Sequence, residues 1–221
     1  MNDFKTYTIY LILPILVLCT AQKSAAQTDG FYATPISDSL FNYMSGKSYK
    51  IGCPVSRNDL RHVHVLHYDG NSNICKGEIV CNKLIATKLV DIFRSLYNAH
   101  YPIQCIRLVD EFDADDEKSM TANNTSCFNF RTVAGTKVLS LHAQGLAIDI
   151  NPLYNPCIKT TKGKISVEPA RGKDYADRKK NFPYKIDKND LCYKLFIRHG
   201  FHWGGAWRSI KDYQHFELIE E

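Results

Sequence analysis

At 221 residues, 44% hydrophobic and 12% aromatic, the chain can bury a sizeable core, which excludes a disordered polymer and an array of several domains. Its net charge of +5 is mild, and no dense Lys/Arg stripe is interleaved with aromatics, which excludes a nucleic-acid partner.

In chain order, Lys5 precedes an apolar run from Tyr7 to Cys19, and Ser24-Ala25-Ala26 follows as a small-residue cleavage site. Residues 1–26 read as a secretory signal peptide. The run is short for a membrane span and is broken by Pro14, which disfavours an uncleaved anchor; Leu18 before Cys19, where a lipoprotein needs a small residue, disfavours that reading too. The expected product is a periplasmic or secreted monomer with no stable membrane span after cleavage. Cys19 leaves with the signal, so seven cysteines remain, at 53, 75, 81, 105, 127, 157 and 192. In an oxidising compartment they predict disulfides with one thiol left over. Cys75 and Cys81 are close enough in sequence to pair across a turn, and the connectivity stays open. No paired C-x-x-C knuckle points to a structural zinc site.

Residues 27–69 form an N-terminal lead-in, and the weak periodicity from Thr28 to Arg61 predicts an irregular wrap packed on the domain. His62 to His67 alternates as a strand, turned by Tyr68-Asp69-Gly70-Asn71. No carboxylate or cysteine at ligand spacing accompanies its three histidines, so they are expected on a solvated face, with a secondary metal contact as the minor alternative. From Asn82 to Ala99, Leu84, Ile85, Leu89, Val90, Ile92, Phe93 and Leu96 recur at helical spacing. Ile103 to Val109 is β-rich. Asp110 to Asp116 lacks the glycine and terminal glutamate of an EF-hand, so a solvated acidic loop is expected.

Ser140 to Pro152 reads Ser-Leu-His-Ala-Gln-Gly-Leu-Ala-Ile-Asp-Ile-Asn-Pro. Alternation from Leu146 to Ile150 predicts a buried strand in which Asp149 sits among apolar residues. A buried carboxylate needs a cation, a hydrogen-bond network or a metal. Asn151 to Asp187, with four prolines and the basic cluster Arg178-Lys179-Lys180, reads as a surface loop excursion and a candidate cleft wall. A helix from Leu191 to His199 stops at Gly200. Phe201-His202-Trp203-Gly204-Gly205-Ala206-Trp207 then turns the chain towards Asp212-Tyr213-Gln214-His215. Two histidines, His142 and His215, with Asp149 would make a three-ligand zinc site with an open fourth position.

The pattern Ser140-x-His142-x-x-Gly145-x-Ala147-x-Asp149, followed by Trp203-Gly-Gly-x-Trp207 and Asp212-x-x-His215, resembles the zinc D-Ala-D-Ala carboxypeptidase and L-Ala-D-Glu endopeptidase family. The resemblance spans about Gly70 to Glu217 and implies a zinc peptidase domain over residues 70–221. Its implied fold is α+β, a small antiparallel sheet with helices packed on it, as in the Hedgehog signalling domain. Its implied activity is hydrolysis of peptide bonds in bacterial peptidoglycan stem peptides, with one zinc ion on His142, Asp149 and His215. Asp212 would be the general base for the zinc-activated water, Arg131 the cation contacting substrate and oxyanion, and Ser140, Trp203 and Trp207 substrate-binding or supporting residues. Ala206 departs from the Asp that endopeptidase members often carry, which bears on a substrate contact. The alternative is a non-catalytic zinc-containing module of the same fold that binds the cell wall or signals; the acid retained at Asp212 argues for the enzyme. A serine-type hydrolase lacks its S-x-x-K or G-x-S-x-G motif.

Overall fold

The computed structural model describes residues 29–133 and 135–219, so the signal-peptide reading of residues 1–26 lies outside the described residues. Tyr32–Pro35 (β1) leads into Asp38–Met44 (α1), opened by Ser37, whose hydroxyl accepts from the Leu40 amide at 3.2 Å. Leu60–Tyr68 (β2) and Ile74–Asn82 (β3) form a long hairpin, and β1 pairs with the free edge of β2. Asn82 ends β3 and caps Lys83–Asn98 (α2), its side chain accepting from the Leu84 amide at 3.1 Å. Ile85, Leu89, Ile92, Phe93 and Leu96 of α2 are buried with Val63 and Val65 of β2 in the main core. Each such side chain contributes about 1.5–3 kcal/mol on burial, so packing of one apolar face, more than intrinsic helicity, fixes α2.

Cys105–Ile106 (β4), Asp116–Thr121 (α3) and Asn124–Thr125 (β5) follow, with β4 and β5 parallel. Then come Ala147–Asp149 (β6) and the hairpin of Cys157–Thr161 (β7) with Lys164–Glu168 (β8). Leu191–Arg198 (α4) is capped by Asp190, whose carboxylate accepts from the amides of Cys192 at 2.8 Å and Tyr193 at 3.3 Å. His202–Trp203 (β9), Ile210–Asp212 (β10) and His215–Glu217 (β11) complete the chain. The small sheets run in the orders β1-β2-β3, β6-β11-β9 and β10-β7-β8, and the fold is α+β as expected. Phe196 of α4 stacks on Phe216 of β11 at 4.3 Å, fixing the β6-β11-β9 sheet to the helical layer. No helix among the described residues is long and apolar enough to cross a membrane.

Several expectations change. The lead-in contains regular elements, β1 and α1, and the boundary drawn after residue 69 falls in the turn of the β2–β3 hairpin. The β-rich run from Ile103 keeps only two residues as strand. Asp110 is buried, not solvated: its carboxylate accepts from the amide of Ser48 at 3.1 Å and its hydroxyl at 2.9 Å. The excursion after Asn151 holds the β7–β8 hairpin, and Arg178 turns inward to the carbonyls of Tyr154 and Ile186. All seven cysteines among the described residues are free, against the expected disulfides. Cys75 and Cys81 lie towards opposite ends of the same strand, β3, about 20 Å apart at strand rise, whereas a disulfide requires Cα atoms within about 7 Å.

Candidate metal centre

His142 rides on a single 3-10 turn, Leu141–Gln144. The Ser140 hydroxyl accepts from the His142 amide at 3.2 Å, and Gly145 ends the turn at φ 67°. A side chain at Gly145 would put Cβ 2.7 Å from the Asn82 amide nitrogen, so the spacing Ser-x-His-x-x-Gly describes a capped turn closed against the start of α2. Ser140 therefore supports His142 through the backbone.

Asp149 ends β6, and the antiparallel register puts His215 directly across from it on β11. Asp149 Oδ1 lies 3.1 Å from His215 Nδ1, and Oδ2 lies 3.3 Å from His142 Nε2. The two ring nitrogens are 3.2 Å apart. All three residues are buried. Tetrahedral zinc with bonds of about 2.0–2.1 Å holds its ligand atoms about 3.3 Å apart, close to these separations.

The outer hydrogen bonds test whether a cation fits. His142 Nδ1 is 2.7 Å from the Cys127 carbonyl, which can only accept, so Nδ1 carries a proton and Nε2 is the atom turned inward. His215 Nε2 is 3.0 Å from Glu217 Oε2, which leaves Nδ1 as its inward atom. Two inward lone pairs and a carboxylate at 3.1–3.3 Å repel unless a proton or metal cation lies among them. Burial opposes a charge on His215, but Asp149 and Glu217 outweigh it and hold the ring protonated well above the ordinary histidine range. Burial likewise opposes ionisation of Asp149, and the two histidines outweigh it, keeping its carboxyl far below the usual range. The donor set fits zinc.

Asp212 ends β10 on the edge of the β7–β8 hairpin, opposite Cys157. Burial and the nearby Asp149 charge push its carboxyl up to about 6, while His215 and the Cys157 thiol pull the other way. Its Oδ1 is buried with no hydrogen-bond partner among the described residues. A carboxylate with an open lone pair and an affinity for protons near neutrality suits proton transfer. Gly204 makes this approach possible, since a Cβ there would sit 2.7 Å from the Asp212 carbonyl oxygen and 3.2 Å from His215 Cβ.

The remaining expected residues divide. Trp207 packs against the His215 ring, centroids 5.2 Å apart. Trp203 is a buried residue between Tyr193 and Tyr213 whose indole donates to the Tyr213 carbonyl at 3.0 Å, and it borders a groove of about 480 Å³ with Trp207 and Glu217. Arg131 is joined to the cluster by no hydrogen bond or ion pair among the described residues; its guanidinium meets Asp116. Glu217 was not singled out from the sequence. The strand alternation His215-Phe216-Glu217 sets it on the His215 face and was the signal available.

No curated protein and no solved structure matches the chain. Residues 134–218 match the family described as D-alanyl-D-alanine carboxypeptidase, a span that includes His142, Asp149, Asp212 and His215, starts just after Arg131 and is shorter than the resemblance read from Gly70. The match agrees with the resemblance to D-Ala-D-Ala carboxypeptidases read from the sequence.

Proposed function

We propose that the chain is a zinc-dependent peptidase that hydrolyses peptide bonds in peptidoglycan stem peptides, at D-Ala-D-Ala or L-Ala-D-Glu, with export through residues 1–26. The observation that carries this reading is the convergence of His142 Nε2, His215 Nδ1 and the Asp149 carboxylate within 3.1–3.3 Å, each histidine oriented by an outer acceptor.

One zinc ion held by these three residues would supply a water made acidic near neutral pH and a positive charge for the oxygen that develops in the transition state. Asp212 takes the proton of the attacking water and returns it to the leaving amine, the role its raised proton affinity and open Oδ1 support. Arg131, anchored by the ion pair of its guanidinium with Asp116, supplies the second cation for the substrate oxygen. Trp207 forms the wall beside His215.

The ligand assignment is tested by zinc content. His142→Ala and His215→Ala should each lose the ion from this site together with hydrolysis, and normal occupancy of the site in either variant would refute the assignment.

A further inference from the structure

The β2–β3 hairpin carries a second cluster of ligand-type side chains, on the sheet face opposite α2. His62 and His64 alternate on β2 and so share a face, and the hairpin register sets Glu78 of β3 directly across from His64. The carboxylate missing from the local sequence is thus supplied by the neighbouring strand. Against the expectation of a solvated face, the two histidine side chains are only 14% and 23% exposed, and Glu78 is 46% exposed.

These groups converge without satisfying one another. Glu78 Oε1 is 3.3 Å from His62 Nε2 and 3.7 Å from His64 Nδ1. The second separation is too long for a hydrogen bond, and His62 Nε2 is buried with no hydrogen-bond partner among the described residues. Leaving a buried ring nitrogen unpaired forfeits its hydrogen bond to water, a cost that a cation at the focus would remove. The three ligand atoms lie within 4.8 Å of one another, and separations of 3.3 and 3.7 Å suit bonds of about 2.0–2.2 Å to one ion. Tyr32 stacks on His64 with centroids 4.4 Å apart and fixes that ring. His64, Glu78, Tyr32 and Lys76 border a cavity of about 600 Å³, which gives water or a small anion access to a fourth position.

We infer that His62, His64 and Glu78 form a second metal site, separate from the His142 cluster, that takes a zinc-class transition ion. Two imidazoles and one carboxylate favour zinc, copper or nickel over calcium or magnesium, which prefer all-oxygen sites.

The test is the zinc stoichiometry of the full chain, stripped with a chelator and retitrated with zinc alone, read by calorimetry and by metal analysis after gel filtration. The expected result is two ions per wild-type chain, one in the His62→Ala/His64→Ala double variant and one in His142→Ala. Glu78→Gln, close in shape and less disruptive to folding, should weaken the second site at least tenfold and leave the other unchanged. A single ion in the wild type that disappears with His142→Ala would overturn this inference alone, whereas a single ion that disappears with the double variant would overturn the His142 centre alone. Two ions retained in the double variant, or unchanged affinity in Glu78→Gln, would also overturn it.

Discussion

Glu217 Oε2 stands 3.0 Å from His215 Nε2, and this contact turns the opposite nitrogen of the same ring, Nδ1, towards Asp149 at 3.1 Å. The two residues lie on one face of a three-residue strand, so β11 provides both the proposed ligand and the group that orients it. Carboxylates in this position fix the tautomer and raise the basicity of the ligand.

Replacing the carboxylate without changing its shape isolates that contribution. Glu217→Gln should keep the fold and weaken zinc binding about 10–100-fold, measured by competition with a chromophoric chelator. An affinity equal to wild type would remove Glu217 from the centre.

The pH dependence of turnover follows from Asp212. Burial and Asp149 raise its carboxyl from the ordinary value to about 6, and only the ionised form can accept a proton. Activity should fall as pH drops through about 6, and the charge of a bound cation favours ionisation and moves this limb lower. The same shift has a stability consequence in the metal-free protein. The folded state prefers the protonated acid, so the associated stability is present at low pH and is lost as pH rises through about 6. Asp212→Asn should abolish the acid limb with most of the activity, and should raise the Tm of the metal-free protein at pH 7 but not at pH 3. A wild-type profile in this variant would exclude Asp212 as the base.

Ser140 separates support from chemistry. Its hydroxyl caps the turn that holds His142, so Ser140→Ala should lower stability by about 0.5–2 kcal/mol while zinc and substantial turnover remain. Complete loss of turnover at normal zinc content would give Ser140 a direct part in the reaction. Denaturant unfolding and a steady-state assay on one preparation decide between these outcomes.

What the sequence revealed depended on range. Helix α2 was legible because seven apolar residues repeat at helical spacing next to a capping Asn82. The spacing of His142, Gly145 and Asp149 was legible because one turn and one short strand bring His142 and Asp149 together locally. The two-residue strands β4, β5 and β9 carry too few residues to show a period. Glu78 could not be attached to His64 because their proximity arises from hairpin register, and the ion pair of Arg131 with Asp116 likewise depends on tertiary packing. The buried environment of Asp110 and the separation of Cys75 from Cys81 follow from the same long-range geometry.

The most direct measurement is mass spectrometry of muropeptides after incubating the purified protein with peptidoglycan and zinc, with and without a chelator. The account predicts chelator-sensitive cleavage, either loss of a terminal alanine or release of stem peptides beginning at D-Glu. Intact stem peptides with zinc fully bound at His142, Asp149 and His215 would contradict it and favour a non-catalytic wall-binding module.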